Sequence, residues 1–186
     1  MAVTQLDPKT ALLVIDLQKG LMSFPAAHPI GNVVKLARQL LDAFRSHHLP
    51  VVLVNVAGGA PGRTDSPPRA GQFAPDFADL VPELNRQPED HLVTKRTWGA
   101  FTNTDLDEHL KKLGVTQVVV LGVATSIGVE STARHAYENG FNVTLAVDAM
   151  TDLNADAHAN SIKLTVPRLG ESGTTQEIID LLNTRK

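Results

Sequence analysis

Four polar features sit immediately after aliphatic runs in this 186-residue chain, where acid–base chemistry is plausible. Asp16 closes ALLVID, Lys95 follows a short apolar stretch, the segment GVATSIGVEST trails QVVVLGV, and Asp148 lies near the end of FNVTLAVDAM. A carboxylate and an ammonium that share a site each favour the other's ionised form, and the carboxylate can move a proton during reaction. A helix opening at Ile127 and Gly128 presents backbone N–H groups able to hold a developing oxyanion or a substrate carboxylate, and glycine lets a ligand approach the backbone. Each feature also has a structural reading. A strand-ending Asp16 or Asp148 can hold loop amides, Lys95 beside Arg96 can be a solvated pair, and Thr125 or Ser126 can cap the helix that follows. The seven histidines show no metal-site spacing, with His47 and His48 adjacent on a helix end and facing different directions.

Composition narrows the classes further. With no cysteine, thiolate metal sites, disulfides and cysteine nucleophiles are excluded. A net charge of −3 is too even for a partner held by bulk charge, so neither nucleic acid nor an acidic membrane surface is expected. No apolar run approaches the roughly 20 residues of a membrane span. The opening MAVTQLDPKT lacks the basic and apolar regions of a signal peptide, which points to a cytoplasmic protein. The length suits a single domain over 1–186.

The elements that must position these residues follow from hydrophobic patterning. Ala11 to Asp16 reads as a strand buried on both faces, because it shows no period-2 alternation. Val33, Leu36, Ala37, Leu40, Leu41 and Phe44 recur at helical spacing, in a helix that ends near His48 because Pro50 follows. Strands are expected over 50–56, around Leu92 to Thr94, over Gln117 to Val123 and over Phe141 to Met150. Between them lie helices over about 104–113, capped by Thr104, a helix carrying Val129, Ala133, Ala136 and Tyr137, and a helix over 155–165. An edge strand near Arg168 to Glu171 and a helix from Thr175 to Leu182 complete the chain. Residues 57–91 form a long Gly- and Pro-containing loop of the kind that is usually functional, with Phe73 and Phe77 as anchors and Arg63 and Arg69 as candidate anion contacts. Alternation of this kind predicts an α/β fold, a three-layer αβα sandwich with a mainly parallel sheet. In such sheets ligands bind outside the carboxyl ends of the strands.

The segments ALLVIDLQKG, TKRTWGAFTNTDLDEHLKKLG and VVVLGVATSIGVESTARHAYENGFNVTLAVDAM, in this order, resemble the isochorismatase-like hydrolase superfamily, which includes nicotinamidases and carbamoyl-amide hydrolases. The family's usual triad is Asp, Lys and Cys. Asp16 matches the Asp and Lys95 the Lys, while the position of the nucleophilic Cys, two residues after Ser126, holds Gly128. A thiol acyl-enzyme is therefore impossible. Isochorismatases resemble the chain in having glycine there, and their chemistry implies a non-covalent route in which the Asp protonates a vinyl ether and water attacks the oxocarbenium centre. The nicotinamidase metal element Asp-x-His corresponds to Asn55-Val56-Ala57, so no metal and no cofactor are expected. The resemblance also implies a cis peptide near Val123–Ala124 and a homo-oligomer, a dimer or a higher closed assembly.

The expectation is a small-molecule hydrolase in which Asp16 is the general acid/base, Lys95 supplies charge and Gly128 opens the catalytic space. Gln18, Phe24, Trp98, Thr125, Ser126 and Ile127 are the candidate substrate contacts. Two rivals stand beside it. In one, Ser126 or Thr125 replaces the thiol, which would need an activating histidine that the sequence does not reveal. In the other, the chain is a ligand-binding or scaffold protein that has lost the nucleophile.

Overall fold

A computed structural model describes residues 3–65 and 73–184. Six strands, β1 (Thr10–Ile15), β2 (Val51–Val56), β3 (His91–Lys95), β4 (Gln117–Val123), β5 (Asn142–Thr151) and β6 (Glu171–Gly173), form one sheet in the order β3-β2-β1-β4-β5-β6. Every neighbouring pair is parallel. The two central strands, β1 and β4, are buried along their whole length, which is why their sequences are unbroken aliphatic runs.

Helices α1 (Ile30–Ser46), α2 (Leu106–Lys112), α3 (Glu130–Glu138), α4 (Ala155–Asn160), α5 (Val166–Leu169) and α6 (Thr175–Asn183) connect and cover the strands. The chain moves from β1 outward to β2 and β3, then returns to β4 and runs to the other edge. Right-handed crossovers therefore put α1 on one face and α2 and α3 on the other, giving the αβα sandwich expected. Helix α1 buries Val33, Ala37, Leu40, Leu41 and Phe44 against the sheet, each worth roughly 1.5–3 kcal/mol when the side chain is large. It stops where His48 takes φ 54°, so that Leu49 N–H reaches back to Phe44 O (2.9 Å) and His48 N–H to Arg45 O (3.0 Å).

Three expectations are corrected. The segment 166–169 is helical, and the edge strand lies at Glu171–Gly173 instead. Helix α2 begins at Leu106, with the Thr104 hydroxyl accepting from Leu106 N–H at 3.4 Å. Strand β5 runs past Asp148 to Thr151, because Val120 pairs with Leu145 but Gly122 pairs with Met150, and residues 146–149 bulge between them. The bulge turns Asp148 out of the strand end. Its Oδ1 accepts from the backbone N–H (2.7 Å) and hydroxyl (3.0 Å) of Thr175, holding the start of α6. Asp148 is thus a structural residue, and Arg69 lies outside the described residues.

Candidate active site

The sheet order reverses between β1 and β4, and the ends of these two strands are where open α/β sheets bind ligands. Asp16 is the first residue beyond β1, and its φ of 55° turns the chain away from the strand. Asparagine and aspartate tolerate this left-handed region better than other side chains, at a cost of order 1–3 kcal/mol. Next to it, Gly122 of β4 has φ 120°, and a Cβ there would fall 2.1 Å from Ile15 O. Only glycine lets β4 pass this close to the residue that precedes Asp16.

Lys95, the last residue of β3, reaches across β2 to this point. Its Nζ donates to Asp16 Oδ2 at 2.7 Å and to Thr97 O at 3.2 Å. Both side chains are buried, Lys95 at 2% exposure and Asp16 at 7%. Burial pushes the Asp16 carboxyl up to about 6, a rise that Lys95 moderates through its charge and its hydrogen bond. The other carboxyl oxygen, Oδ1, is buried and has no hydrogen-bond partner in the protein.

Beyond β4, the Val123–Ala124 peptide is cis, at the position the family resemblance implied. Residues Thr125–Val129 then form a widened turn in which Val129 N–H reaches back to Ala124 O at 3.2 Å, before α3 begins. This turn lays Gly128 on Asp16. A Cβ at Gly128 would meet Asp16 Oδ2 at 3.1 Å, Ile15 Cγ2 at 3.2 Å and Val123 O at 3.3 Å. Asp16, Lys95 and Gly128, from three distant parts of the chain, therefore meet at one point.

The remaining candidates divide. Ser126 and Ile127 are half-buried on the turn. The Ser126 N–H donates to Asp152 Oδ2 at 2.6 Å and the Ile127 N–H to Ala124 O at 3.1 Å, so both amides are engaged. Thr125 is buried, its hydroxyl donating to Thr151 O at 3.1 Å and lying 2.8 Å from His158 Nδ1. A histidine thus does stand beside Thr125, which the sequence did not reveal, but Thr125 is 1% exposed and its hydroxyl is bonded to the end of β5. Gln18 is fully used by backbone: its Nε2 donates to Val56 O (3.0 Å) and Phe77 O (2.9 Å), and its Oε1 accepts from Val56 N–H (2.7 Å). It clamps the 73–81 loop to the strand ends, together with Phe77, whose ring packs where a Gly20 side chain would be. Trp98 is 63% exposed, at the rim directly after the Thr97 carbonyl that holds Lys95. Phe24 lines a separate groove of about 460 Å³ with Met22, His28, Ile30, Val34 and Val81, and none of Asp16, Lys95 or Gly128 borders it. Arg63 is exposed on the long loop.

Sequence reasoning missed Asp152 and His158. The former became visible only when β5 extended to Thr151, and the latter needed α4 to be placed beside the turn. Among the described residues no group of His, Asp and Glu is arranged to hold a metal ion, and no helix is long and apolar enough to cross a membrane.

Comparisons with known proteins agree with the fold. The Isochorismatase domain model matches residues 10–177. The uncharacterized isochorismatase family protein YwoC of Bacillus subtilis is 42% identical, over 92% of this chain and 93% of its own. YecD of Escherichia coli O157:H7, another isochorismatase family protein, is 38% identical over 93% of this chain and 96% of its own. The solved structure of an isochorismatase family protein from Burkholderia thailandensis superposes with a TM-score of 0.94 at 39% identity, covering 98% of this chain and all of that one (100%).

Proposed function

The chain belongs to the isochorismatase family of hydrolases, and from that premise we propose that it cleaves a small vinyl-ether substrate of the isochorismate type without a covalent intermediate. The observation that carries this reading is the Asp16 carboxyl: buried, raised to about 6, held at Oδ2 by Lys95 with Gly128 packed against that same oxygen, and without a partner at Oδ1. In this mechanism the Asp16 carboxyl gives its proton to the terminal carbon of the vinyl ether. The carbon–carbon π electrons form the new C–H bond, and the ether oxygen stabilises the cationic carbon. Water adds to that carbon and returns a proton to Asp16. The resulting hemiketal then breaks its C–O bond to release a keto acid and an alcohol, so that one water is consumed per turnover. Lys95 stabilises the carboxylate once the proton has left. Gly128 lets the turn lie directly against Asp16, where a side chain would crowd the carboxyl. Trp98 and the half-buried Ser126 and Ile127 form the rim. The same reading takes the chain as one catalytic domain over 1–186, working in the cytoplasm as a homo-oligomer on a small molecule, with no cofactor.

The test is turnover of isochorismate beside a panel of amides, with intact-mass spectra of protein quenched in mid-reaction. The expected result is isochorismate hydrolysis with the protein mass unchanged. An adduct on Ser126 or Thr125 would overturn the non-covalent route. Amide hydrolysis in place of isochorismate hydrolysis would overturn the substrate class. Silence across the panel from folded protein would favour a binding role.

A further inference from the structure

The turn that carries Gly128 is fastened from behind by residues the reaction itself does not use. Thr151, the last residue of β5, and Asp152 form the anchor: Asp152 Oδ2 accepts from Ser126 N–H (2.6 Å), and Thr151 O accepts from the Thr125 hydroxyl (3.1 Å). His158 of α4 completes it, with Nδ1 2.8 Å from Thr125 Oγ1. A hydroxyl has one proton, and a carbonyl can only accept. Thr125 therefore donates to Thr151 O and accepts from His158, which requires the proton of His158 to sit on Nδ1. Burial and the neighbouring His28 ring, whose centroid is 4.7 Å away, hold His158 below the usual histidine range, while Asp152 acts in the opposite sense.

We propose that His158 is a positioning residue for the reaction at Asp16: by donating from Nδ1 to Thr125 it holds the 124–128 turn down on the Asp16 carboxyl and keeps water from it. The inference rests on the proposed acid role of Asp16 for its catalytic consequence, but its structural part stands alone. Gly128 approaches Asp16 only while the turn keeps this path, and the turn begins with the one side chain, Thr125, that His158 grips. A turn released from His158 rises, solvates Asp16 and removes the cause of its elevated pKa.

The experiment follows the Asp16 carboxyl by carbon-13 NMR, assigned by its loss in Asp16→Asn, in the wild type and in His158→Ala, His158→Asn and Thr125→Val. An asparagine amide reproduces the Nδ1 donor, so His158→Asn keeps the wild-type midpoint. His158→Ala and Thr125→Val lower it by about one unit toward the ordinary carboxylate value. With isochorismate as the probe, the same two variants lose about ten-fold in kcat with KM nearly unchanged, and His158→Asn recovers most of it. A midpoint unmoved in both His158→Ala and Thr125→Val overturns the proposal. If His158→Ala fails to fold, Thr125→Val decides alone. A shifted midpoint in a protein whose wild type ignores isochorismate would uphold the positioning role and sink only the substrate reading.

Discussion

At the residue scale, one carboxyl carries the account. Asp16 is buried enough to keep its proton up to about pH 6, and Lys95, 2.7 Å from one of its oxygens, limits the rise. Replacing Lys95 with Met removes the charge and the hydrogen bond that lower the value, so the Asp16 midpoint should rise above about 6, as read by carbon-13 NMR. Because a general acid works in its protonated form, kcat/KM should fall as pH rises through about 6 in the wild type, and the limb should move upward in Lys95→Met. Gly128→Ala tests the close approach of the turn. Its Cβ would stand 3.1 Å from Asp16 Oδ2 and 3.2 Å from Ile15 Cγ2, so turnover should drop while the circular dichroism spectrum stays native. Unchanged turnover in Gly128→Ala would mean that the close approach of this turn to Asp16 does not matter to the reaction.

At the element scale, the site exists because β1 and β4 lie side by side and their continuations part. Gly122 permits the contact, since any Cβ there would collide with Ile15 O at 2.1 Å in a backbone conformation that L side chains rarely adopt. Gly122→Ala should cost about 3 kcal/mol or more, measured by urea unfolding, and should disturb Asp16 directly because Ile15 precedes it. A cost under about 1 kcal/mol would show that the two strands have slack. The strands themselves were legible in the sequence, since aliphatic runs without alternation have few other uses in a chain of this composition. Lys95, Asp16 and Gly128 were legible for a related reason: each follows such a run, at the strand ends where α/β sheets bind ligands. What could not be read was register. A bulge at 146–149 turns Asp148 into a brace for α6, and β5 ends at Thr151, one residue past the expected Met150, with Asp152 the carboxylate at the turn. Gln18 was misjudged on similar grounds, because its partners are backbone atoms of Val56 and Phe77, far along the chain.

At the scale of the whole molecule, the raised Asp16 value links catalysis to stability. Between the ordinary aspartate value of 3.8 and about 6 the native chain keeps a proton that the unfolded chain releases. The contribution of this site to stability is therefore fully present below that window, and it is lost as pH rises through it. Unfolding free energies of wild type and Asp16→Asn should accordingly diverge with pH: their difference should move against the wild type from pH about 4 to about 6 and then level off. A difference that is flat across this range would mean that Asp16 titrates normally. The fold thus accepts a cost at neutral pH to keep an acid buried beside a lysine, an arrangement more easily explained by chemistry than by stability.

The most direct test of the central claim is the rate of isochorismate hydrolysis in Asp16→Asn beside the wild type, across pH 4 to 9. If Asp16 is the proton donor, the wild type loses activity as pH rises through about 6 and the variant is slower by about 100-fold or more at low pH, with no such limb. Comparable rates and the same pH dependence in both proteins would contradict it.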